Sequence, residues 1–368
     1  MVANLTTRLG QLTSSPAGGP YTGANKIING DMVIDQRNAG AAVPLVSTGD
    51  TFPVDRFISQ TNLSGKLTAQ QAAAGGLTGL SKCLGYTSQS TYSVGAGEYF
   101  LCSQKVEGYN VADLLWGTAS AKTITVSFWV YSSLTGLHGG VVSNSAQDRT
   151  YPYSYTISVA NTWEYKTVTI AGDTSGTWLT TNGAGLHLRF SLGTGATYKG
   201  TAGAWAAATY FSCTGEVSTV GTNGAVWFVT GVKLEVGSIA TPFVPDNYSD
   251  SLVKCQRYYC KTFPQATAPA TNLNASSGCL MFGSLDLANA GMLMWLFPVT
   301  MRAAPTVTRY GIKSANTNWT NFTNNNVATT SGANVISEQS TCVYSNGDGT
   351  AAAVNNQVGI HAAADAEL

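Results

Sequence analysis

The chain has 368 residues, 44% of them apolar and only 10% charged, against about 25% charged in an ordinary soluble domain. Nineteen Lys and Arg balance nineteen Asp and Glu, so no net field draws it to nucleic acid or to an anionic membrane. Normal hydrophobicity at zero net charge also excludes disorder, and 40 glycines among many Thr, Val and aromatic residues read as all-β.

At the start, Val2, Leu5, Leu9 and Leu12 are spaced as the seam of a short helix, or fall there by chance in a frayed terminus. Such a helix is too short to stand alone and would dock or self-associate. The Pro- and Gly-rich stretch SSPAGGPYTGAN then acts as a linker. MVANLTTRLGQL has neither the basic start nor the apolar core of a secretion signal, and no run is long enough for a membrane-spanning helix. Seven scattered cysteines match no zinc spacing and read as buried free thiols of a protein made in a reducing cytoplasm.

From Ile27 the pattern is that of strands. Ile124, Val126, Phe128 and Val130 alternate with polar and aromatic neighbours that include Trp129 and Tyr131, so one face is buried. Leu186, Leu188, Phe190 and Leu192 alternate with His187, Arg189 and Ser191, and Val232, Leu234 and Val236 with Lys233 and Glu235. Val168 and Ile170 follow Trp163, which is expected in a core with Phe128 and Phe190. Turn pairs at Gly172-Asp173, Asn182-Gly183 and Asn223-Gly224 punctuate these runs. Many short antiparallel strands over residues 26–245 predict a jelly-roll β-sandwich. ATPFVPDNYSD marks a boundary, after which SLVKCQRYYCKTF fits a helix or a strand. Strand candidates at 280–287, 292–297, 305–310, 341–344 and 358–362 make residues 246–368 a second, smaller β-domain.

Several segments resemble phage tail-fibre and receptor-binding virion proteins. INGDMVIDQRNAG followed by FPVDRF resembles a motif that opens a carbohydrate-binding-like jelly roll, with Asn29, Gly30, Asp31, Gln36, Arg37, Asp55 and Arg56 in the key places. ITVSFWVYSS, NTWEYKTVTIAGDTSGTW and GVKLEVGSIATPFVP resemble later strands of that module, and KCQRYY the junction to a variable tip. PVTMRAAPTVT and ADAEL resemble parts of such tips. The resemblance spans roughly residues 25 to 310. It implies an N-terminal virion-attachment segment (residues 1–25), a homotrimer, and a place on the virion's external fibre. It also implies other virion structural proteins and a host surface glycan as partners, with no nucleic acid and no membrane insertion. Read by themselves, Asn29-Gly30 supplies positive φ in a tight turn, while Arg37, Asp55 and Arg56 form a structural ion pair or hold backbone amides. Glu235 is paired or solvated, and Pro242 ends its strand.

Enzyme signatures are missing. Gly65-Lys66 lacks the phosphate-loop glycine, and His138, His187 and His361 stand apart, so no metal or cofactor is expected and no catalytic residue is named. A polysaccharide depolymerase would need paired carboxylates, and Asp286, Glu338, Asp348 and Asp365 have no spacing that specifies one cleft. Sugars stack on rings and pair with amides. The polar stretch 316–326 therefore offers Trp319 and Phe322 with Asn318 and Asn321 as ligand-binding residues, and Trp205 as a further one. Each ring has a packed-anchor alternative. Attachment through surface glycan is the expected function, with a purely structural head fibre, decoration or tail connector as the alternative.

Overall fold

A computed structural model describes residues 25–284, 291–313, 315–322, 327, 331–345 and 356–368. The N-terminal segment assigned to attachment lies outside them except for Asn25, as do Asp286 and Asp348. The protein is all-β and divides into two compact units. The first comprises Met1–Val33, Ala42–Phe52 and Phe57–Pro245; the second comprises Ile34–Ala41, Pro53–Arg56 and Asp246–Leu368.

The sandwich of the first unit begins with β1 (Val43–Pro44), β2 (Thr51–Val54), β3 (Phe57–Thr61), β4 (Leu67–Ala73) and β5 (Lys82–Ser88). It continues with β6 (Tyr99–Glu107), β7 (Ile124–Ser132), β8 (Gly136–Ser143), β9 (Thr150–Ile157) and β10 (Trp163–Ile170). After β11 (Ala184–Thr194) come the short β12 (Lys199–Gly200) and β13 (Ser212–Cys213), then β14 (Val226–Val236). One sheet runs β1-β4-β5-β14-β7-β10 and the other β2-β3-β6-β11-β8-β9.

Their inner faces interlock through rings. Phe128 and Trp227 of the first sheet meet Phe190 of the second at 4.9 and 5.6 Å, and Phe128 meets Tyr155 at 5.1 Å. Phenols and indoles buried there find partners: Trp227 Nε1 donates to Tyr155 Oη (3.1 Å), Tyr153 Oη to Arg189 O (2.7 Å), and Tyr86 Oη bonds Ser59 Oγ (2.7 Å). A polar group left bare at this depth would cost about 1–3 kcal/mol.

Positive φ in the Asn29-Gly30 turn is supplied by Asn29 (58°), as expected of the pair. Gly30 is small because a Cβ there would lie 2.2 Å from Val232 O, and that close approach lets Val232 N donate to Gly30 O (2.9 Å). The strand bearing Glu235 stops at Val236, before Gly237 at φ 119°, not at Pro242. Of the two readings of Glu235 the paired one holds: Lys233 and Glu235 are both buried. The returning chain covers them: Thr241 donates from N (2.8 Å) and Oγ1 (2.7 Å) to Glu235, whose carboxylate also lies 3.2 Å from Lys233 Nζ.

In the second unit SLVKCQRYYCKTF is both helix and strand: α1 (Tyr248–Gln256) leads into β15 (Tyr259–Lys261). There follow β16 (Leu280–Ser284), β17 (Gly291–Leu296), β18 (Thr306–Tyr310), β19 (Thr320–Asn321), β20 (Ser331–Asn334), β21 (Ser340–Ser345) and β22 (Asn356–Asp365). β22 pairs with β15, β16, β18 and β19, and a separate sheet runs β17-β21-β20. The core gathers Cys260, Trp295, Phe297, Met301, Trp319, Val343 and Ile360.

The charged motif residues close this unit. Gln36 donates from N (2.9 Å) and Nε2 (2.5 Å) to the Asp55 carboxylate, and from Nε2 to Tyr259 O (2.8 Å). Arg37 lies 3.7 Å over the Tyr259 ring and pairs with Asp365 (3.0 Å) and Glu367 (3.4 Å). Arg56, at φ 72°, lies 3.5 Å over the Tyr258 ring and pairs with Glu367. Stacked guanidiniums lose less hydration than ammoniums would, which is why Arg suits both places. Burial raises the Asp55 pKa, against the opposing pull of Arg37 and Gln36.

Candidate functional site

Alternation along β7 sends Ile124, Val126, Phe128 and Val130 inward and leaves Trp129 and Tyr131 on the outer face of the first sheet. The register then assembles a row. Gln70 of β4 pairs with Gly85 of β5, Gly85 with Phe228 of β14, Phe228 with Tyr131, and Tyr131 with Trp163 of β10. One step along, Trp129 pairs with Tyr165. Five aromatic side chains from three neighbouring strands thus share one outer face.

The rings lie against one another without being buried. Tyr131 stacks on Phe228 (5.5 Å, 27°) and meets Trp163 at 5.7 Å, while Trp129 meets Tyr165 at 5.3 Å. Tyr165 is 39% exposed, and the other four are half-buried. Gly85 makes this possible, because a Cβ there would sit 2.3 Å from the Phe228 ring. Trp163 Nε1 donates to Gly75 O (2.9 Å), fixing its indole, and Tyr131 Oη donates to Asn161 Oδ1 (3.3 Å). Gln70, in register with Gly85, and Asn161, bonded to Tyr131, are exposed at the patch. Half-exposed rings packed against one another, with amides at the rim, can stack on the apolar face of a flat polar molecule and bond its hydroxyls.

The residues expected to bind ligand are placed differently. Trp319 is 0% exposed, a core residue whose Nε1 donates to Tyr344 O (2.9 Å) and whose ring meets Phe282 at 4.9 Å. Asn321 is buried in β19 opposite Val358. Phe322 is half-buried against Gly359, where a Cβ would lie 2.6 Å from its ring. Asn318 is half-buried, its N donating to Asn316 Oδ1 (3.1 Å). An exposed Trp319–Phe322 pair is therefore not what the chain builds; pairing of β19 with β22 turns the preceding indole into the core. Residues 323–326 of that stretch lie outside the described residues.

Trp205 is half-buried and belongs to an aromatic cluster of the first unit, 5.3 Å from Trp116 and 5.5 Å from Trp178, with Nε1 donating to Ala171 O (2.8 Å). Trp163, expected in a core, stands on the outer face instead. Its signal was the i, i+2 aromatic pair Trp163/Tyr165, which repeats Trp129/Tyr131 and becomes a platform once the two strands adjoin. Among the described residues no three His, Cys, Asp or Glu side chains gather as a metal site, and no helix is long and apolar enough to cross a membrane. Asp365, offered as a catalytic carboxylate, is engaged by Arg37.

No family model matches the chain, and no curated protein matches it. Some solved structures are similar at low identity. The enzymatically active domain of tailspike protein 4 from bacteriophage CBA120 matches at 13% identity and a TM-score of 0.29, over 58% of this chain and 21% of that one. TmCBM61 in complex with β-1,4-galactotriose matches at 13% identity and 0.28, over 58% and 99%. A family 11 carbohydrate-binding module from Clostridium thermocellum, in complex with a mixed-linked tetrasaccharide, matches at 13% identity and 0.26, over 54% and 98%. At such TM-scores these likenesses carry no argument about function.

Proposed function

We propose that the protein binds carbohydrate on the outer face of the first sheet, through Phe228, Tyr131 and Trp163 with Trp129 and Tyr165 beside them. The observation that carries this reading is the five-ring row itself: aromatic side chains left on a sheet face, each against a ring of the adjoining strand, with exposed amides around them. In a chain with so few charges, stacking and neutral hydrogen bonds are the recognition chemistry available. The motif resemblance supports placing this binder on a phage virion as a homotrimeric fibre that attaches to host surface glycan, without turnover of the sugar. Trimerisation would turn weak single sites into avid ones.

The test is titration of host surface polysaccharides and a panel of neutral oligosaccharides against the full chain and against Trp129→Ala/Tyr165→Ala. Saturable binding reduced at least tenfold in the variant is expected. An unaffected variant moves the site elsewhere, and a chain that binds none of them leaves a purely structural fibre. Reducing ends released during incubation would instead establish a depolymerase.

A further inference from the structure

The outer face of the second sheet carries an arrangement independent of the aromatic row. β11 sends His187, Arg189 and Ser191 to that face, yet Arg189 is only 2% and His187 only 4% exposed. Arg189 donates from Nη1 to Ser143 Oγ (2.7 Å) and places Nη2 2.6 Å from His187 Nδ1. A guanidinium has donors only, so Nδ1 must accept, and the imidazole proton sits on Nε2. Burial, and then the charge of Arg189, hold the His187 pKa well below its ordinary value, consistent with that neutral form.

Two buried donors are then left over: His187 Nε2 and Arg189 Nε have no hydrogen-bond partner. Among the described residues no carboxylate lies within ion-pair distance of Arg189. Asp50 is held by Lys105 (3.2 Å) and by Gln60 Nε2 (2.8 Å). Phe211 lies over the guanidinium at 5.4 Å, its own ring packed against Tyr198 (4.6 Å) and Tyr99 (4.9 Å). A buried cation with no carboxylate at ion-pair distance, on which Asp50 acts only from farther away, sits beside a second bare donor; this is a costly state that an anion relieves.

We infer that Arg189 and His187 form an oxyanion site that takes a carboxylate or sulfate group, borne by an acidic saccharide or arriving as a free ion. Lys105 stands beside His187 in the β-ladder, and its pair with Asp50 keeps side-chain exposures of 17% and 31%, marking the side from which the group enters. Arg189 Nε and His187 Nε2 are the two unpartnered donors that such a group would meet.

The experiment measures Tm of the full chain at constant ionic strength with sodium sulfate, acetate, glucuronate or a glucuronate-containing oligosaccharide added against sodium chloride. A saturable rise is expected in the wild type and none in Arg189→Met, which also corrects for the general stabilising action of sulfate. His187→Phe, which keeps the cation, is expected to weaken the response about tenfold. A response to sulfate or acetate identifies a free-ion site, and a response to the oligosaccharide alone a glycan-borne one. No saturable response in the wild type, or equal responses in wild type and Arg189→Met, overturns the inference. Should Arg189→Met fail to fold, calorimetric titration of wild type and His187→Phe with glucuronate decides, unequal affinity being required. The response is expected unchanged in Trp129→Ala/Tyr165→Ala, so this site and the aromatic one stand or fall separately.

Discussion

Gly85 sets the height of the aromatic row. A methyl group there would meet the Phe228 ring at 2.3 Å and lift it from the strand, out of line with Tyr131. Stacked aromatic contacts are worth about 0.5–1.5 kcal/mol, so Gly85→Ala is expected to weaken glycan binding up to about tenfold in a calorimetric titration. Three buried imidazoles give the protein a second residue-scale property. Burial lowers the pKa of His138, His187 and His361 below the ordinary 6.5. Below 6.5 the unfolded chain then binds more protons than the native one. Stability is present in full above that pH and lost as the pH falls through the shifted values. Tm is expected to fall between pH 7 and pH 5, with a shallower fall in His138→Gln; a flat profile in the wild type would contradict it. Of these residues the sequence made the inward set plain, since Phe128 and Phe190 alternate with polar neighbours. It hid the partner of Trp163, because register across two strands leaves no trace in either one. Trp319 misled for another reason: its neighbours are polar, but the indole N–H finds Tyr344 O inside the core.

At the scale of elements, β14 and the chain returning over it form one closed corner. Lys233 and Glu235 are buried together and depend on Thr241, whose hydroxyl donates to Glu235 and contacts Lys233 Nζ. Thr241→Val keeps the volume and the backbone bond but removes that hydroxyl. Hydrogen bonds to charged groups contribute about 1.5–3 kcal/mol, and a loss of that size is expected in urea unfolding. The motif GVKLEVGSIATPF was visible as a strand with alternating charge. Its closure was not, because alternation says which way a side chain points and not what arrives to cover it. The same limit applies to β11, whose alternating polar residues His187, Arg189 and Ser191 are buried as well.

At the scale of the molecule, the two units are not consecutive in the chain. The second takes Ile34–Ala41 and Pro53–Arg56 from the early sequence, and with them Gln36, Arg37, Asp55 and Arg56. A fragment of residues 246–368 would leave Glu367 without either arginine and the Tyr258 and Tyr259 rings without their guanidiniums. Such a fragment is expected to lack a cooperative thermal transition and the full chain to show one for this unit; a sharp transition in the fragment would count against the interleaving. Nothing local in DQR or VDR announces this, since the partners are acidic residues more than three hundred positions away.

That separation has a consequence during synthesis. Arg56 and Glu367 are 311 residues apart, and a ribosome adding about 5–20 residues per second needs roughly 15–60 s to cover the distance. Through that interval the early arginines are outside the exit tunnel without the carboxylates that will hold them, while the sandwich encoded between them can already fold. Residues around Glu367 complete a unit that Ile34–Ala41 and Pro53–Arg56 began.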